Sequence, residues 1–212
     1  MGKIKELKYY DVQKVGTIKE LLEIAVEQAG DKIAFKYKDE KGKVIDVTYK
    51  EFQKDTFELG TALNSINMAD KHIAVIGENS YKWVTVYLTV LKSKGVIVPI
   101  DKELPVCDII NVLNDSDSEV LFYAKKYEKN IDEIAEKAPN VKYFIGFSTE
   151  KTEGNRLSYN EFKAEGKKLY EGGDKTYAEM ITDHNNLKML VYTSGTTGMA
   201  KGVMLSEHNL IS

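Results

Sequence analysis

Apolar positions recur in two different rhythms along this 212-residue chain. In "TIKELLEIAVEQAG" a threonine able to cap precedes Ile18, Leu21, Leu22, Ala25 and Val26 at helical spacing, and Gly30 ends the run. "KIAFKYK" and "VIDVTYK" alternate like strands around the polar, glycine-containing "DEKGK", which predicts a hairpin. "YKEFQKDTFELGTALNSI" returns to the helical period, with Phe52, Phe57, Leu59 and Leu63 as its apolar positions.

From His72 onward, short apolar runs alternate with amphipathic stretches. "HIAVIG", "VIVPI", "EVLFYA", "VKYFIGF" and "NNLKMLVYTSG" read as strands. "SYKWVTVYLTVLKSKG", "DIINVLNDS", "KNIDEIAEKAP" and "SYNEFKAEGKKLYEGG" read as helices. Such alternation predicts repeated β–α units. Strands that are apolar without strict alternation are buried on both faces, as in a parallel sheet. The expected fold class is α/β, a mainly parallel sheet over residues 72–192 flanked by helices, with an N-terminal helix and β-hairpin. Residues 1–70 form a packing segment of helix, hairpin and helix, and residues 71–212 form the α/β subdomain.

Composition narrows the function. A formal charge of −3 gives no electrostatic footprint for nucleic acid. The single cysteine, Cys107, has no disulfide partner and no metal-site spacing, so it reads as a buried or idle thiol. The N-terminal "MGKIKELKYYDVQK" lacks the apolar core of a signal peptide, and no stretch approaches the roughly 18 apolar residues of a transmembrane span. A cytoplasmic location is expected. His72 at a strand start and His184 in a polar loop read as structural or solvated. The Asp115 and Asp117 pair reads as a helix-ending loop, and "KAEGKK" as a solvated helix face.

The chemistry concentrates in "YTSGTTGMAKG", residues 192–202, directly after the last apolar run. Glycines let successive backbone N–H groups converge on one point and let a bulky ligand approach. Hydroxyls add donors, and a lysine adds a compact charge suited to phosphate. A loop at the carboxyl end of a parallel strand stands where open α/β sheets place ligands. Polyphosphate is the ligand this donor set fits. The spacing is not G-x-x-x-x-G-K-[ST], since Ala200 precedes Lys201 and Gly202 follows it.

"YTSGTTGMAKGVMLSEHNL" resembles the phosphate-binding signature of the adenylate-forming (AMP-binding) enzymes. Two positions depart from it: Ala200 stands where the family usually has proline, and Glu207 where it usually has histidine. "ENSYKWVTVYLTVLKSKGVIVPID" resembles an earlier core motif, with Asn79, Trp83, Gly95 and Pro99 in packing and turn roles. "KNIDEIAEKAPNVKYFIGF" and "LSYNEFKAEGKKL" look most like the long-chain fatty acyl-CoA ligase branch.

The resemblance implies a two-step reaction. A carboxylate, such as a fatty acid, attacks the α-phosphate of ATP with Mg2+ bound, releasing pyrophosphate; coenzyme A then takes the acyl group from the adenylate. By matching positions, Thr193, Ser194, Gly195, Thr196, Thr197, Gly198 and Lys201 would cradle the β- and γ-phosphates, and no residue is assigned to catalysis or to metal. The family's other motifs would lie downstream of Ser212, so the expectation is an N-terminal fragment, inactive alone. Its exposed apolar surface would favour a homo-oligomer. The competing readings are a non-catalytic nucleotide-binding module and an adenylate-forming enzyme for an aryl or amino acid.

Overall fold

The computed structural model of the chain describes residues 13–39, 41–193 and 201–212. Helix α1 (Ile18–Ala29) starts where Thr17 caps it, its side chain accepting from the Glu20 amide at 3.0 Å. Strands β1 (Ile33–Lys38) and β2 (Val44–Thr48) pair antiparallel as a separate two-stranded sheet. Asp39 accepts from the Lys41 and Lys43 amides, and Gly42 takes a φ of 78° in the turn. Thr48 and Glu51 then form a reciprocal capping box that launches α2 (Tyr49–Ser65).

The α/β unit follows: β3 (His72–Ile76), α3 (Tyr81–Leu91), β4 (Val96–Ile100), α4 (Val106–Asp115), β5 (Val120–Tyr123), α5 (Ile131–Lys137), β6 (Tyr143–Gly146), β7 (Arg156–Ser158), α6 (Tyr159–Glu171), β8 (Leu187–Thr193), β9 (Lys201–Ser206) and α7 (Glu207–Ile211). The sheet is seven-stranded in the order β7-β6-β5-β3-β4-β8-β9. All its pairings are parallel except β8 with β9, which is antiparallel. The chain therefore forms the expected α/β fold with a mainly parallel sheet.

Alternate residues of each strand feed opposite cores. Ile73, Val75, Ile97, Val120, Phe122 and Ile145 pack with Leu59, Leu63, Val86, Val90 and Phe162, the side of α2, α3 and α6. Ala74, Ile76, Val98, Leu121 and Phe144 pack with Ile109, Leu113, Ile131 and Ile134, the side of α4 and α5. Burial on both faces is why these strands read as unbroken apolar runs.

Four features differ from the sequence expectation. The helix read over 129–139 is preceded by a 3-10 turn, Lys125–Asn130, and becomes α-helical only at Ile131. β7 is a three-residue edge strand, too short to show a period. β9 follows the glycine loop as an exposed strand. "KAEGKK" is not simply solvated: Lys163 sits between Asp55 (2.5 Å) and Glu58 (3.3 Å), and Gly166 is buried against α2.

No helix among the described residues is long and apolar enough to cross a membrane. The oligomer expected from exposed apolar surface gains no support. Among the described residues, the exposed large apolar side chains lie on separate elements, apart from the neighbours Val203 and Met204 on β9.

Candidate functional site

Because β3 to β8 run parallel, their carboxyl ends share one edge of the sheet, and the glycine loop leaves from that edge after β8. Thr193 is the last residue of β8 and Lys201 the first of β9, and the two face each other across the strand pair. Both are exposed. Ser194, Gly195, Thr196, Thr197 and Gly198 lie outside the described residues. A hydroxyl donor and an ammonium thus stand together at the loop's mouth, the pairing that phosphate oxygens take.

One step further in, Tyr192 faces Gly202, where a Cβ would lie 3.1 Å from the tyrosine ring. The ring crosses the edge strand there, and Tyr192 Oη donates to Asp115 Oδ2 at 2.6 Å. Burial, then the neighbouring Asp115 carboxylate, push this phenol well above its ordinary range. Asp115 ends α4, so the hydrogen bond ties the loop's base to the helix on the second face of the sheet. Asp117, with a φ of 49°, turns the chain out of that helix, as a helix-ending loop should.

On the other side of β8, its register with β4 is the pair Ile97↔Met189. Pro99, which has no N–H to give to a ladder, lies beyond that pair toward the site. A central strand accepts this proline because its neighbour on that side is not laddered there.

A cleft of about 720 Å³ opens at the same edge, beyond β3, β5 and β6, roofed by the β1–β2 hairpin. Successive crossovers leave β3 in opposite directions here, the arrangement that opens a crevice in doubly wound sheets. Tyr37 and Tyr81 stack in its wall at 5.0 Å, and Tyr81 Oη donates to Asp55 Oδ2 at 2.8 Å. Burial, then the Asp55 charge, hold the Tyr81 phenol well above its usual range. Lys82 Nζ donates to the Phe147 carbonyl and lies over the Tyr159 ring, and Lys163 is held by Asp55 and Glu58.

Among the described residues no group of three or more His, Cys, Asp or Glu side chains could hold a metal ion. His72 Nδ1 lies 2.6 Å from the Ser116 carbonyl, a structural contact. Cys107 is exposed rather than buried.

Sequence reasoning missed a pair of buried charges at the end of β8 and β9 far from the loop. Lys188 and Glu207 are fully buried, with Lys188 Nζ 3.9 Å from Glu207 Oε2. The signal for it was a single lysine inside the apolar run "LKMLVY", together with glutamate at the family's histidine position.

The family model for AMP-binding enzymes matches residues 22–212, and the chain belongs to that family. It is 26% identical over 167 residues to tyrocidine synthase 3 of Brevibacillus parabrevis, covering 78% of this chain and 2% of that protein. It is 28% identical over 180 residues to long chain acyl-CoA synthetase 4 of Arabidopsis thaliana, covering 81% of this chain and 26% of that protein. The crystal structure of the anthranilate CoA ligase AuaEII in complex with anthranoyl-AMP matches with a TM-score of 0.76 at 19% identity, over 90% of this chain and 35% of that one. At that identity the likeness is one of fold. The chain spans well under half the length of each of these relatives.

Proposed function

We propose that this chain supplies the pyrophosphate-holding part of an ATP-dependent, adenylate-forming ligase, acting on a fatty acid and passing the acyl group to coenzyme A. The observation that carries the reading is the facing pair of Thr193 and Lys201 at the carboxyl edge of the parallel sheet. In this reading Thr193 to Gly198 and Lys201 hold the β- and γ-phosphates of ATP. Residues 71–212 form the nucleotide-handling unit and residues 1–70 pack beside it, in the cytoplasm. Mg2+ and coenzyme A belong to the proposed reaction, and no step through them is assigned to a residue here.

The chemical task of the loop is to neutralise charge on the departing pyrophosphate with donors already in place. A positioned lysine acts where charge develops and so lowers the barrier of that step alone. The Arabidopsis acyl-CoA synthetase among the relatives supports fatty acid as the carboxylate, whereas the tyrocidine synthase supports the amino-acid alternative.

The test uses the whole protein in two half-reactions. Lys201→Ala should slow ATP–pyrophosphate exchange by about a hundredfold or more, with little effect on thioester formation from supplied acyl-adenylate. Equal losses in both would assign Lys201 to the fold instead. Exchange stimulated by amino acids, and not by long-chain fatty acids, would overturn the substrate class.

A further inference from the structure

The phosphate loop works only if the strand that leaves it is held in one alignment, and β9 is a strand with little to hold it. Lys201, Gly202, Val203 and Met204 are all exposed, and Leu205 and Ser206 are half-buried. Register is strongly specified where one face of a strand is buried and weakly where it is not. Most of β9 therefore lacks the usual determinant, yet its alignment decides which residue stands opposite Thr193.

The opposite end of β9 supplies another determinant. The ladder runs Leu187↔Ser206 and then Met189↔Leu205, so Lys188 is the extra residue of a β-bulge. Leu187, Leu190 and Tyr192 pack on the α4–α5 side, Met189 and Val191 on the other. The bulge turns Lys188 toward that other side, where its Nζ donates to the Ser93 carbonyl just beyond α3. Glu207, immediately after β9, reaches the same place. Its Oε1 accepts from the Ile18 amide at the start of α1 at 2.9 Å. Its Oε2 has no hydrogen-bond partner and faces the Lys188 ammonium.

We propose that the buried Lys188–Glu207 pair is a register pin, fixing β9 against β8 in the alignment that sets Lys201 opposite Thr193; both are thereby positioning residues for the loop. A one-residue slip would bring Ser206 or His208 to the place of Glu207 and leave Lys188 without its counter-charge in the interior. An unpaired buried charge is among the most unfavourable features a fold can carry. Fixing register is also the best-attested use of buried polar and ionic groups. The Glu207 amide bond to the Asn186 carbonyl (3.1 Å) and the His208 amide bond to the His184 carbonyl (2.8 Å) hold α7 in the same alignment. The link to phosphate rests on the function proposed above; the register claim does not.

The experiment compares the 212-residue chain with Lys188→Met/Glu207→Gln, which removes both charges and keeps an acceptor for the Ile18 amide. Glu207→Gln alone is the second variant; it keeps the Ser93 and Ile18 hydrogen bonds but leaves Lys188 without its counter-charge, so it is the less stable of the two. Cross-strand NOEs between Val191 and Val203 and between Tyr192 and Gly202 report the register, and inorganic pyrophosphate titration reports the loop. Both variants should fold yet show a second set of β9 resonances, with those NOEs weakened. If the correct register falls to about a tenth of the population, pyrophosphate affinity falls about tenfold.

A single, wild-type-like NOE pattern in both folded variants overturns the proposal, whatever happens to affinity. Mixed register in the variants, with no pyrophosphate binding even by the wild-type chain, upholds the pin and removes the phosphate reading instead. Should Glu207→Gln not fold, the outcome for the double variant decides.

Discussion

Lys92 lies in the core with 2% of its surface exposed, its Nζ donating to Thr56 Oγ1 at 2.8 Å and resting 4.3 Å from the Phe57 ring centre. Burial pushes its ammonium down to about 7, with Glu23 opposing that shift and Lys19 reinforcing it. Because the folded-state value is lowered, the unfolded chain binds the extra proton between about pH 7 and the ordinary lysine value near 10.4. Stability should therefore rise with pH across that window, by up to about 1.4 kcal/mol per unit from this group. Below pH 7 both states are protonated and the full penalty is present. Lys92→Met, which keeps the packing on Phe57, should remove that part of the slope. Urea titrations of both proteins at pH 7, 8 and 9 test this, and parallel pH profiles would refute it.

At the level of elements, α2 and α6 approach closely at Gly166. A Cβ on Gly166 would fall 2.0 Å from the Glu58 carbonyl oxygen and 2.7 Å from the Ala62 Cβ. Two opposing effects meet there. Alanine is favoured over glycine inside a helix by about 1 kcal/mol, but overpacking against backbone costs about 1–3 kcal/mol or more. The contact is with backbone, which cannot rotate away, so the second effect should win. Gly166→Ala is expected to destabilise by a net ~2 kcal/mol, read from the denaturant midpoint. The helices would separate, and Lys163 would leave its place between Asp55 and Glu58. An unchanged or raised midpoint would mean that the helices are less closely packed than the structure has them.

For the molecule as a whole, stability should be layered. β3, β4 and β5 are sealed on both faces, with Ile73, Ala74, Val75, Ile97, Val98, Val120, Leu121 and Phe122 at 0% exposure. The β1–β2 hairpin is a two-stranded sheet, held to α2 and α3 by Phe35 against Phe52 (4.8 Å) and Tyr37 against Tyr81 (5.0 Å). An isolated hairpin is marginal in water, so these ring contacts carry much of its order. Native-state hydrogen exchange should show the central strands opening only with global unfolding, and the hairpin amides exchanging orders of magnitude faster through local opening. Equal protection would show that hairpin and sheet form one cooperative unit.

Local residue patterns were enough to determine much of this protein. The alternation from His72 announced the β–α units because burial on both faces forces apolar runs. Thr17 announced a helix start because its hydroxyl can take an amide that the helix leaves unpaired. "YTSGTTGMAKG" pointed to the AMP-binding family because its donors and glycines are adjacent in the chain. Other features were set by distant parts of the chain meeting. β7 and β9 carry no period, since one is three residues long and the other is mostly exposed; each is a strand because a neighbour's ladder is there to receive it. Gly166 looked like one polar-face residue among lysines until α2 lay against it. Lys188 and Glu207 lie far enough apart in sequence that only a bulge in β8 and the turn into α7 bring their charges together. What adjacent residues can satisfy among themselves is written in the sequence; what needs a partner from elsewhere is settled only when the chain folds.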